Sequence, residues 1–181
     1  MHCASLGEFE QGRPLIEAMK EQCPGKQVLL TFFSPSGYEV RKDFPYADMV
    51  CYIPADLPGL MKPFLQAVNP SVVLFVKYEF WYNLLAILKR KGIPTYLISG
   101  IFRKSQHFFK PWGRWFRRRL SAFHGFFVQD TQSLELLNSI GYENVTISGD
   151  TRFDRVQKIA DEDERFPFFD AFVKGKKVVI A

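Results

Sequence analysis

The chain has 181 residues, 47% of them hydrophobic and 24% charged, enough apolar material for one covered α/β-sized core and a composition that excludes a disordered tail. Twenty-four Lys and Arg against 19 Asp and Glu leave a formal charge of +5, a mild excess that favours anionic partners without naming one. Three cysteines without a Cys-x-x-Cys pair, three widely spaced histidines and the lack of any run of about 18 apolar residues argue against a disulfide framework, a metal site and a membrane span; no cofactor is expected, and the chain reads as soluble.

Residues 1–5 read as the end of a strand that runs through a glycine into a helix over 8–22. Strands are predicted over 27–33, 49–52, 71–76, 95–98, 125–128 and 145–147, with helices over 58–68, 80–91, 111–122 and 131–140. Gly92 and Gly141 close helices, and Asp130 offers a cap to the next. The alternation predicts βαβ units and a parallel sheet, and strands apolar on both sides predict helices over both faces. The polar stretch 161–165 reads as a solvated turn, and 177–181 as a buried strand with nothing after it, so both ends look cut from a longer protein. Nineteen Phe, seven Tyr and three Trp exceed the needs of one modest core, which places some rings at a surface or interface.

In such sheets ligands bind beyond the carboxyl ends of the strands. There, Ser5-Leu6-Gly7-Glu8 puts a carboxylate in the first turn of a helix, with a glycine that permits close backbone approach. The same Ser-x-x-Glu spacing fits a capping box, in which Glu8 serves only the helix. Ser34-Pro35-Ser36-Gly37 offers hydroxyls and amides to an anion at a helix start, and equally fits an ordinary turn and cap. Glu79 follows the most apolar strand; it either orients a base, a cation or a sugar hydroxyl, or merely complements the helix it opens. Gly149-Asp150-Thr151-Arg152 brings a guanidinium to a strand end, where it neutralises a developing phosphate charge unless it pairs with Asp150 or Asp154. Neither Gly-x-Gly-x-x-Gly nor a Walker A pattern is present, which weighs against dinucleotide and nucleoside triphosphate chemistry. From Lys110 through Trp112, Arg114, Trp115, Arg117 and Arg118, aromatic and basic residues interleave on a predicted helix. A membrane surface and nucleic acid both suit that pattern, and a solvated face with a tryptophan in the core is the structural alternative.

Taken in order, His2-Cys3-Ala4-Ser5-Leu6-Gly7-Glu8-Phe9, Leu30-Thr31-Phe32-Phe33-Ser34-Pro35-Ser36-Gly37-Tyr38, Glu79-Phe80-Trp81-Tyr82-Asn83 and Gly149-Asp150-Thr151-Arg152-Phe153-Asp154 resemble the 3-deoxy-D-manno-octulosonic acid (Kdo) transferase family of lipopolysaccharide assembly. The resemblance runs from His2 to about Val156. It implies a GT-B glycosyltransferase of two Rossmann-like domains facing a cleft, with 1–176 as the acceptor-binding domain and 177–181 as the first strand of the donor-binding one. It further implies metal-independent, inverting transfer of Kdo from CMP-Kdo to the lipid A precursor (lipid IVA). Glu8 then matches the general base, and Glu79 and Arg152 match positions that stabilise the transition state. Arg152 stands where many members carry Lys, and Phe80 and Tyr82 depart from the commoner Leu and Pro. Ser5, Gly7, Ser34, Ser36 and Gly37 are the candidate acceptor-binding residues. The donor nucleotide falls mainly to the second domain, so this chain alone is not expected to catalyse transfer. An acylated, phosphorylated acceptor on the cytoplasmic face of the bacterial inner membrane matches the positive balance and the basic aromatic segment, and no nucleic acid partner is expected. The competing class is a non-catalytic module that binds an anionic membrane or nucleic acid through that segment and has no use for the Glu8 carboxylate.

Overall fold

The structure, a computed structural model, describes residues 1–161 and 172–175. Helix α1 spans Leu6–Gln22, β1 Leu29–Phe32, α2 Pro35–Arg41, β2 Met49–Tyr52, α3 Pro58–Val68, β3 Val73–Val76 and α4 Tyr82–Lys91. There follow β4 Thr95–Gly100, a 3₁₀ turn at His107–Phe109, α5 Arg114–Leu120, β5 Gly125–Val128, α6 Thr131–Asn138, β6 Val145–Ile147 and α7 Arg152–Asp161.

Every ladder is parallel, β1 with β2 and β3-β4-β5-β6 in sequence. The first three residues join the two groups. His2 bridges both Thr31 and Phe75; its N–H donates to the Leu74 carbonyl at 2.8 Å, and its own carbonyl accepts from Val76 N–H at 3.1 Å. The expected strand end is therefore a rung in the middle of the sheet, and the turn that follows it is held from both sides.

Side chains alternate across the strands and divide the core in two. Cys3, Leu30, Phe32 and Val76 pack with Phe9 and Ile16 of α1. On the opposite face Phe75, Leu97, Phe126 and Val128 pack with Leu65 of α3, Leu85 and Leu88 of α4, and Leu137 of α6. Helices on both faces of a parallel sheet give the expected α/β, Rossmann-like layering. Helix α1 comes in close because residue 12 is glycine: a Cβ there would lie 2.8 Å from Met1 Sδ, 3.1 Å from Cys3 Sγ and 3.2 Å from Val76.

Four local readings change. Residues 35–41 form a helix, because Ser34 accepts from Ser36 N–H at 3.3 Å and Pro35 fits the first helical position. Helix α4 starts at Tyr82 rather than 80, since Asp56, from the loop after β2, accepts from the N–H groups of Asn83 and Leu84 at 2.9 Å each. The predicted helix over 111–122 shortens to α5, so Lys110 and Trp112 precede it. Gly113 makes the break: a Cβ there would sit 1.9 Å from the His107 carbonyl oxygen. Residues 152–161 form a further helix, so Asp161, read as the start of a turn, ends α7 instead; 162–165 and the expected strand 177–181 lie outside the described residues. Among the described residues no helix is long and apolar enough to cross a membrane.

Candidate functional site

The carboxyl ends of the strands gather the turns at 4–8, 33–37, 77–81, 99–100 and 149–152. Ser5 caps α1 and Glu8 answers it: Ser5 N–H and Oγ lie 3.0 and 3.4 Å from Glu8 Oε2. The capping box is thus real, and it does not exhaust Glu8. Burial pushes the Glu8 carboxyl above the ordinary range, and the nearby charge of Glu79 pushes it further, against the Ser5 and Ala4 backbone and Lys77. A half-buried carboxylate beside another is a stronger proton acceptor than a free glutamate. Gly7 is exposed, and among the described residues a Cβ placed there would come no nearer to another side chain than 4.0 Å, to Ser5 Oγ, which leaves the approach beside Glu8 open.

Glu79 is held from two directions. The Trp81 indole N–H donates to its Oε2, and His2 Nε2 lies 3.5 Å from the same oxygen. His2 is itself buried, with Nδ1 3.0 Å from Thr31 Oγ1 and its ring edge-on to Trp81 at 5.1 Å. Burial lowers its pKa against the opposing pull of Glu79, so the imidazole is neutral at pH 7 and acts as a strut between sheet and carboxylate. Lys77, two residues before Glu79, is left-handed at φ 70°, as is Ser99 at φ 51° on the neighbouring strand end. For residues with a Cβ this is strain, of the sort that collects at binding sites.

Arg152 pairs with Asp150. The guanidinium Nε lies 3.1 and 3.0 Å from the two carboxylate oxygens, Nη2 donates to Oδ2, and the Arg152 backbone N–H donates to Oδ1 at 3.0 Å. Gln11 Nε2 donates to Oδ1 at 3.1 Å. Burial opposes ionisation of Asp150, but these donors outweigh it and hold the carboxyl down at about 2. Thr151 Oγ1 lies 2.6 Å from the Gln11 carbonyl and 3.1 Å from Ser99 Oγ. The Gly149–Arg152 turn is thus fastened to α1 and β4. The Arg152 side chain stays 54% exposed, with Nη1 outside the pair with Asp150.

The Ala4 carbonyl accepts from Phe33 N–H at 3.2 Å and Ser34 N–H at 2.7 Å, which sets the Ser34-Ser36 hydroxyls, 2.9 Å apart, beside the Glu8 turn. Gly37 is buried: a Cβ on it would fall 2.2 Å from the Phe32 ring, so packing demands this glycine. The basic aromatic segment forms a separate surface. Trp112 and Trp115 are 61% and 50% exposed, so neither is in the core. Phe116 stacks on His107 at 5.1 Å, and the Arg119 guanidinium lies 4.6 Å from the Trp115 ring centroid. Among the described residues Lys110, Arg114, Arg117 and Arg118 form no ion pair.

Sequence spacing therefore singled out Glu8, Glu79 and Arg152 but not His2, Gln11, Asp56, Lys77 or Ser99. Lys77 shares a loop with Glu79 and was within reach of a local reading. Gln11 meets Asp150 across 139 positions and Asp56 meets Asn83 across 27, separations that carry no local signal.

Comparisons with known proteins bear on the family and the fold. A family model described as 3-deoxy-D-manno-octulosonic-acid transferase matches residues 1–155. The transferase of that name from Bordetella pertussis is 30% identical over 161 residues, 85% of this chain and 37% of the relative. The one from Haemophilus influenzae is 27% identical over 158 residues, 85% and 37%, and that from Chlamydia pneumoniae 30% over 143, 77% and 33%. The chain thus spans about a third of the length of these curated relatives. A crystal structure from Listeria monocytogenes, described as that of a UDP-N-acetylglucosamine 2-epimerase, superposes with a TM-score of 0.67 at 13% identity, covering 94% of this chain and 50% of that one; this likeness shows the fold alone. The family match, spanning every described strand of the sheet, makes this chain a member of the 3-deoxy-D-manno-octulosonic acid (Kdo) transferase family.

Proposed function

We propose that the complete enzyme is an inverting GT-B glycosyltransferase that moves Kdo from CMP-Kdo onto the lipid A precursor lipid IVA, and that this chain supplies its acceptor side and its general base. One arrangement carries the reading: the half-buried Glu8 carboxylate stands in the first turn of α1 at the open end of the sheet, where burial and the charge of Glu79 favour its taking a proton. Glu8 takes the proton of the acceptor's primary hydroxyl as that oxygen attacks the anomeric carbon from the face opposite CMP. The new C–O bond forms as the bond to the CMP phosphate breaks. Uptake of the proton neutralises one of two neighbouring carboxylates, so their mutual repulsion favours the transfer. Glu79, fixed by Trp81 and His2, offsets positive charge developing at the anomeric carbon. Arg152, with Nη1 outside its pair with Asp150, neutralises the departing phosphate.

Ser5, Ser34 and Ser36 bind acceptor hydroxyls around Glu8, Gly7 leaves room for them, and Gly37 contributes by seating α2 on Phe32. The acceptor domain extends over 1–176, and residues 177–181 open the donor domain that holds the nucleotide. The Lys110–Arg118 surface meets the anionic cytoplasmic face of the inner membrane, where the acceptor resides. The test is an assay of the full-length protein with CMP-Kdo and lipid IVA, with and without a chelator. The expected outcome is CMP release with formation of Kdo-bearing lipid, unchanged by chelation, and no transfer by the 181-residue chain alone. A well-folded full-length protein that transfers nothing to lipid IVA contradicts the reading.

A further inference from the structure

We propose that Phe33 is a stacking platform for a pyranose ring of the acceptor, an inference that rests on the transferase reading above. Phe33 directly follows β1, a strand whose Leu30 and Phe32 are fully buried, yet the residue is itself 56% exposed. Its position is fixed rather than loose. The backbone N–H donates to the Ala4 carbonyl, next to Ser5, and the ring centroid lies 5.2 Å from that of Trp81 at 75° between planes. Trp81 in turn donates to Glu79. The ring therefore stands between the Glu8 turn and the Glu79 clamp. A near-perpendicular pair covers at most one face of either ring, so at least one Phe33 face is left free of Trp81.

An apolar, negatively polarised ring face in the same group of turns as the Ser34 and Ser36 hydroxyls and the Glu8 and Glu79 carboxylates suits one ligand chemistry well. A pyranose presents axial C–H bonds on one face and hydroxyls at its rim. The C–H face loses little water on meeting the ring, and the hydroxyls reach Ser34, Ser36 and Glu8. An acyl chain in the same place would desolvate those polar groups without pairing them.

Substitutions in the full-length protein test the platform. Phe33→Ala is expected to raise the acceptor KM about tenfold, with kcat within about twofold and the CMP-Kdo KM unchanged, the signature of lost uniform binding. Phe33→Leu, which keeps apolar bulk without a π face, should behave like Phe33→Ala, and Phe33→Tyr should restore the wild-type KM. The same penalty should appear with an acceptor stripped of its acyl chains. An unchanged acceptor KM in Phe33→Ala overturns the platform, and a penalty that vanishes on the deacylated acceptor assigns the ring to acyl chains instead. If the wild-type protein transfers nothing, the transferase reading fails. Calorimetric titration with the bis-phosphorylated glucosamine disaccharide then decides the platform separately: about tenfold weaker binding by Phe33→Ala supports it, and equal or absent binding by both proteins overturns it.

Discussion

In the proposed reaction, Glu8 sits where catalysis and stability pull in opposite directions. Burial and the charge of Glu79 raise its pKa in the folded state, so the fold favours the protonated form. The corresponding stability is fully present below the unfolded pKa of about 4.3 and is lost as pH rises through the higher folded value. Glutamine preserves the capping box and removes the charge. Glu8→Gln is therefore expected to melt about 2 °C above wild type at pH 7, and the gap should close as pH falls towards 4; thermal melts across that range check it. A Glu8 whose only work is to cap α1 gives the reverse, a lower melting temperature in the glutamine variant at pH 7. The Ser-x-x-Glu spacing made Glu8 visible in the sequence, and it fitted base and cap equally well. What separates the two roles is the carboxylate 71 positions away, whose proximity depends on β3 lying beside the rung formed by His2.

Among the elements, α4 shows how one distant residue sets a site. Its cap position is Trp81, whose side chain makes no capping bond, and the open N–H groups are taken instead by Asp56. The Trp81 side chain is thereby left to hold Glu79. Asp56→Ala should destabilise the fold by about 1–2 kcal/mol, the usual loss for a helix cap. It should also lower transfer more than that loss explains, because the turn carrying Glu79 moves with the helix start; denaturant unfolding and turnover on the same preparation check both. Transfer unchanged once the folded fraction is accounted for would contradict the coupling. Strand positions were legible because β1, β3 and β5 are apolar on both faces, a pattern that parallel burial demands. Helix starts at 35 and 82 were not, since Ser-Pro-Ser-Gly serves a turn and a cap alike and the α4 cap comes from another loop.

Across the whole molecule, charge is spread unevenly. Residues 80–129 hold ten Lys and Arg and not one Asp or Glu, and the exposed Trp112 and Trp115 lie within that span. If this surface meets an anionic membrane, Arg114→Gln with Arg118→Gln should lower partitioning onto phosphatidylglycerol vesicles roughly thirtyfold, at about 1 kcal/mol per cation. Binding to neutral vesicles should stay weak in both proteins, and salt should erode the difference. Co-sedimentation reads the result, and equal partitioning of wild type and variant on anionic vesicles would contradict it. Basic and aromatic interleaving announced this surface in the sequence, whereas the break at Gly113, forced by the His107 carbonyl, did not show in spacing. The proposed transfer turns on one carboxylate, and the most direct measurement is Kdo transfer from CMP-Kdo to lipid IVA by the full-length protein and its Glu8→Gln variant. A loss of about a hundredfold or more in the variant, with folding intact, is the predicted result. Equal transfer by the two proteins would contradict the assignment of Glu8 as the base.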